Sequence, residues 1–175
     1  RVRALTSRRS NTLARDISGL TDRLIVQFPE GELDLLPALA NHMPVVIICR
    51  LLGVPESMAD QLLKWSNAMV SMYMASRTHE TELAAAQAST EFAEFIRSYV
   101  DEKRATPGDD LLTELIAAEE DGEKLSTDEL IPTCILLLNA GHEATVHTFG
   151  NASKCLLEHA TDHGQLAQEK NAETR

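Results

Sequence analysis

Aromatic residues are scarce: one Trp, two Tyr and four Phe make up 4% of the 175 residues. No Asn-Gly or Asp-Gly pair joins two alternating apolar runs, and Asp121-Gly122 lies between helical stretches, so hairpin signals are lacking. No apolar run reaches the ~18 residues of a membrane span. Gly-rich phosphate loops and Gly-x-Ser-x-Gly elbows are absent. Basic residues are outnumbered, 16 Lys and Arg against 27 Asp and Glu, which gives a net charge of -11. That balance argues against nucleic acid and acidic lipid surfaces as partners. It suits docking of a basic partner or plain solubility. Cys49, Cys134 and Cys155 are odd in number, widely spaced and set in apolar helical patterns. They read as buried reduced thiols of a cytoplasmic protein.

What is present is helix after helix, with an apolar content of 43% that suits one core. Asn11 reads as the cap of a helix to about Phe28, with Leu13, Ile17, Leu20, Leu24 and Phe28 on one face. Phe28-Pro29-Glu30-Gly31 ends it. A second helix is predicted over Leu33 to Leu52, kinked or broken near Pro44 and stopped by Gly53-Val54-Pro55. Pro55 opens a third, to about Met74. His79 to Lys103 is a long amphipathic stretch, closed by Thr106-Pro107-Gly108. A short helix over Asp109 to Glu119 precedes the acidic turn Glu119-Glu120-Asp121-Gly122. Ser126-Thr127-Asp128-Glu129 forms a capping box. A long helix follows, over about 126–159, with Pro132 an oddity in its first two turns. The polar tail 160–175 is expected to fray. All of this describes one all-α body, residues 1–175.

Leu136-Leu137-Leu138-Asn139-Ala140-Gly141-His142-Glu143-Ala144-Thr145 is the most informative run. It begins as an apolar helix and then places two small residues, a histidine and a carboxylate where the helix ought to stay greasy. A mid-helix Gly costs about 1 kcal/mol against Ala. A carboxylate among apolar neighbours is expected to be buried, at a cost of several kcal/mol unless paired. Such broken local rules mark functional sites. The small pair Ala140-Gly141 lets a flat or bulky group approach the backbone, or it serves tight helix packing. Met58, Met69, Met72, Met74, Trp65 and Tyr73 crowd the 55–74 stretch, as core or as an adaptable apolar binding surface.

Ala140-Gly141-His142-Glu143-Ala144-Thr145 resembles the oxygen-activation motif of the cytochrome P-450 monooxygenases, Ala/Gly-Gly-x-Asp/Glu-Thr-Thr/Ser. Arg1-Val2-Arg3-Ala4-Leu5 resembles the helix that carries a haem-propionate arginine. Leu51-Leu52-Gly53-Val54-Pro55, Asp109-Asp110-Leu111-Leu112 and Leu125-Ser126-x-x-Glu129-Leu130 resemble further family elements, in family order and spacing. The resemblance implies the central part of that mainly helical fold, with the motif on its long central helix. It implies haem as cofactor, with Arg3, Ala140 and Gly141 in contact with it. It also implies a small apolar substrate and electrons from NAD(P)H through a ferredoxin or reductase. Glu143 would relay protons. The position normally held by threonine is Ala144, with Thr145 next, so the hydroxyl must come from substrate, water or Thr145.

The family's Phe-x-x-Gly-x-x-x-Cys-x-Gly loop does not occur, so no metal ligand is assigned in this chain. It reads as an internal fragment of such an enzyme, inactive by itself. The alternative is a non-enzymatic all-α ligand-binding or interaction protein. Zinc readings fail on geometry. His142 and His147 fall roughly 140° apart on the helical wheel, and His147, Asn151, Cys155, His159 and His163 span ~24 Å.

Overall fold

The computed structural model describes residues 7–120 and 126–159, which form helices α1 (Ser7–Ile25), α2 (His42–Leu52), α3 (Ala59–Val70), α4 (His79–Ala105), α5 (Leu111–Glu120) and α6 (Thr127–His159). The described residues contain no strand. The tail 160–175, the Asp121-Gly122 turn and the Arg1–Leu5 segment lie outside the described residues.

The run Val45-Val46-Ile47-Ile48-Cys49 is apolar all round, and α2 is accordingly enclosed by its neighbours. Pro44, Val45, Val46, Ile48, Cys49 and Leu52 are all buried. Helices α1, α3, α5 and α6 pack around it, and α4 runs along α3 and α6. A helix with no polar face belongs in the interior. Its amphipathic neighbours turn single stripes toward it or toward one another. On α4 the stripe is Ala85, Ala88, Phe92, Ile96 and Val100. On α6 it is Leu130, Cys134, Leu138 and His142, spaced by four. Trp65 wedges between α3 and α4, its ring centroid 5.8 Å from that of Phe92 and 5.4 Å from that of Phe95. Its Nε1 donates to Glu91 at 2.7 Å.

Asn11 does not cap α1, which already runs at Ser7. The interruption expected near Pro44 is present just ahead of it: Leu36–Ala40 forms one wide π turn, closed by Asn41 N–H on Leu36 O at 2.8 Å, and Asn41 keeps helical angles (φ -74°, ψ -37°) into α2 at His42. Pro44 thus falls in the first turn of α2, where a helix needs no N–H donor. The stretch after Pro55 begins as a 3-10 turn, Glu56–Met58, before α3.

Helix ends follow local chemistry. Gly53 takes φ +68°, and Val54 N–H bonds Cys49 O at 2.9 Å, the left-handed stop a glycine permits. A Cβ on Gly53 would meet Asp110, whose buried carboxylate accepts from Lys103 Nζ at 2.7 Å. That ion pair ties α4 to the start of α5, with the end of α2 lying against it. At the start of α6 the Glu129 carboxylate accepts from the Ser126 N–H at 3.0 Å and its hydroxyl at 2.9 Å. Those two bonds, the backbone one first, hold the Glu129 pKa below the usual carboxylate value.

Candidate active site

The stretch of α6 from 139 to 147 presents different chemistry on different sides. On the outer side Ala140, Ala144 and Thr145 are exposed, as is Leu136 one turn earlier. Ala140 and Ala144 are four apart, hence on one face, and neither carries anything beyond Cβ. Gly141 faces α2 instead: a Cβ there would come within 3.3 Å of Ile48 Cδ1. The Thr145 hydroxyl donates to Gly141 O at 2.7 Å, a bond to its own helix.

Glu143 is not buried. Its side chain is 43% exposed, with His147 Nε2 3.8 Å from Oε1. The residue that does break the apolar stripe is His142, 5% exposed. Its Nδ1 lies 3.1 Å from the Oγ of Ser66 on α3, and Ser66 is itself fully buried. Burial, above all, holds the His142 pKa below the ordinary 6.5; Glu143 opposes that shift and His147 adds to it. Among the described residues His142 Nε2 is buried with no hydrogen-bond partner, and so is Asn139 Oδ1. Asn139 Nδ2 sits 4.0 Å from the sulfur of Met69.

His142, Glu143, Val146 and His147 form one wall of a cavity of about 310 Å3. Asn41, Asn67, Val70, Ser71 and Met74 complete it. A more apolar groove of about 540 Å3 lies further along α6, between Leu35-Leu36 and Leu157. Of the methionine-rich stretch, Trp65 and Met69 belong to the core, whereas Tyr73 and Met74 are exposed.

The structure therefore brings Ala140, Gly141, Glu143, Ala144 and Thr145 onto two turns of one helix. Arg3 lies outside the described residues. Ser66, His142 and Asn139 were not singled out as a site from sequence. The available signal was the spacing of four through Leu130, Cys134, Leu138 and His142, which puts an imidazole on the core stripe. No group of three or more His, Cys, Asp or Glu side chains is placed to hold a metal ion among the described residues.

A haem ring fits the outer side of α6, because Ala140 and Ala144 leave a flat group room against the helix. Cys49 and Cys134 are enclosed in the core rather than open to that side, and burial pushes their thiols up to about 11 and about 12. Cys155 is exposed but stands on α6 itself, roughly 16 Å beyond Ala144 at 1.5 Å per residue.

Fold and site define an all-helical protein organised on a long helix that carries small residues and an acid on its open side. No family model matches the chain. It is 39% identical over 171 residues to cytochrome P-450 107B1 of Saccharopolyspora erythraea, covering 97% of this chain and 40% of that protein. It is 36% identical over 169 residues to the vitamin D(3) 25-hydroxylase of Pseudonocardia autotrophica, covering 95% and 40%. The ligand-free structure of cytochrome P-450 TbtJ1 superposes with a TM-score of 0.82 at 32% identity, over 99% of this chain and 45% of that one. The chain belongs to the cytochrome P-450 family. It spans about 40% of the length of the curated relatives it matches. None of its described helices is long and apolar enough to cross a membrane.

Proposed function

We propose that this chain forms the oxygen-side wall of a cytoplasmic haem-thiolate monooxygenase that inserts one atom of O2 into a small apolar substrate. Haem, when bound, supplies the reductive activation of O2, with electrons passed from NAD(P)H by a ferredoxin or reductase. The observation that carries the reading is the open Ala140–Ala144 face with the Glu143 carboxylate one position before Ala144. Relatives named as a vitamin D(3) 25-hydroxylase and a steroid C26-monooxygenase support an apolar substrate.

In this reading Ala140 and Ala144 lie against the ring, with Gly141 letting α6 settle onto Ile48 behind them. Arg3 pairs with a propionate, since a guanidinium meets a carboxylate through two charge-assisted hydrogen bonds. Glu143, partly solvated and at the edge of a cavity, takes protons from solvent and passes them inward. Ala144 brings no hydroxyl, and the Thr145 hydroxyl is engaged by Gly141 O. The missing hydroxyl then comes from water or from the substrate.

The test is Glu143→Gln in a haem-loaded protein of the relatives' full length that contains this chain. Turnover is expected to fall by about tenfold or more, with haem content and substrate affinity unchanged, as for loss of a proton-transfer group. Unchanged turnover would remove Glu143 from the mechanism.

A further inference from the structure

The five methionines are Met43, Met58, Met69, Met72 and Met74, and their surroundings separate them. Met69 belongs to the core at 7% exposed, with Asn139 Nδ2 4.0 Å from its sulfur. Met43 and Met58 pack against the core, and Met72 is half-buried. Met74 alone of the five is open to solvent, at 59%. The backbone explains why. Ser71–Tyr73 forms a 3-10 turn, and at Met74 the chain leaves it extended, with φ -75° and ψ 137°. No following helical turn covers the side chain, since α4 starts only at His79.

Met74 nevertheless lines the cavity of about 310 Å3 that also holds Glu143 and His147. With Val70 and Val146 it makes the apolar part of that lining. The Ser71 hydroxyl already donates to Ala68 O at 2.6 Å and is not free to donate into the cavity. The amides of Asn41 and Asn67 are the neutral donors of the wall.

We propose that Met74 is an oxidation site through which hydrogen peroxide slows this enzyme. The sulfur lone pair attacks one peroxide oxygen and the O–O bond breaks. The departing hydroxide takes the proton left on the transferred oxygen, so the products are methionine sulfoxide and water. Sulfur gives up two electrons and the peroxide accepts them. The peroxide is a by-product of the activity proposed above, formed when O2 takes two electrons and two protons and no substrate is oxidised. Oxidation turns a flexible apolar side chain into a polar one whose oxygen is a strong acceptor. Glu143 then shares its cavity with that oxygen, and the two compete for the Asn41 and Asn67 amides and for solvent. The effect on turnover rests on the reading of Glu143 as proton carrier.

The test uses the full-length, haem-loaded protein, treated with hydrogen peroxide at a level that leaves the haem absorbance unchanged. The tryptic peptide 65–77 carries Met69, Met72 and Met74, and its fragment spectra locate the added oxygen. Met74 should be oxidised first, with Met69 intact. Oxidation of Met72 or Met69 ahead of Met74 overturns the proposal. The treated protein should lose kcat several-fold and regain it with methionine sulfoxide reductase. Met74→Leu should keep its own starting kcat through the same treatment, and an equal fractional loss there overturns the proposal. Glu143→Gln should lose no further turnover to peroxide. If Glu143→Gln is slow and peroxide slows it by the same further factor, the proposal fails and the Glu143 reading stands. If Glu143→Gln turns over normally, that reading falls, and the route proposed for Met74 falls with it.

Discussion

His142 and Ser66, 76 positions apart in the chain, meet at 3.1 Å inside the protein and join α6 to α3. Deleting the serine hydroxyl leaves Nδ1 buried and unpartnered. Ser66→Ala should therefore lower the unfolding free energy by about 1–3 kcal/mol. Urea denaturation at pH 7.5 measures it. A change below a few tenths would mean that the contact contributes nothing to stability.

The same histidine gives a pH dependence whose sign follows from its depressed pKa. Unfolded, the ring takes a proton near the ordinary 6.5; folded, it resists to lower pH. Between those two values the unfolded state binds more protons, so stability falls as pH falls. The contribution is complete above about 6.5 and lost as pH drops through the folded value. His142→Gln should flatten this part of the stability profile between pH 7.5 and 5. An identical slope in the variant would assign the dependence to other groups.

Gly53 and Gly31 both have positive φ, +68° and +101°, but differ in surroundings. A methyl group at 53 would press into the buried Asp110 carboxylate, whereas at 31 it would meet open space. Gly53→Ala should cost several-fold more stability than Gly31→Ala, whose penalty is backbone strain of about 1–2 kcal/mol. Paired thermal melts decide it; equal shifts would mean that Asp110 moves aside freely.

The cysteines should separate by reactivity. At pH 8 the Cys49 and Cys134 thiols, raised to about 11 and about 12, are protonated and enclosed, whereas Cys155 is exposed. Iodoacetamide should modify Cys155 in the folded protein and all three after denaturation. Mass spectrometry of the alkylated peptides reads the pattern. Early labelling of Cys134 would indicate that α6 opens away from its neighbours.

Ala144 and Thr145 differ in what a hydroxyl there can do. Ala144→Thr would place one on the open face and should raise the ratio of product formed to reducing equivalents consumed, for substrates lacking a hydroxyl near the reacting carbon. Thr145→Ala removes a group engaged by Gly141 O and should leave that ratio unchanged. A collapse in Thr145→Ala would show that the bond to Gly141 is given up during turnover.

Elements governed by neighbouring residues were legible in the sequence. The Gly53 stop and the Ser126–Glu129 pairing are local chemistry, and both are present in the structure. Helix starts were harder. Asn11 looked like a cap, yet α1 already runs at Ser7. Pro44 marked the interruption to within a turn, since the π turn closes at Asn41, three residues before it.

The site divides in the same way. The order of small, acidic and hydroxyl residues over 140–145 is a one-dimensional fact, and it was enough to mark the motif and suggest its family. Burial is not one-dimensional. Glu143 was expected inside and lies at a solvent-facing rim, whereas His142, its neighbour, lies inside. Successive helical residues point about 100° apart, so a rotation of α6 by one position exchanges their environments. The packing of α6 against α2, α3 and α4 fixes that rotation. The sequence alone determined which groups α6 carries. Only tertiary packing decided which of them faces water, which faces the core, and that Ser66 would be there to meet the imidazole.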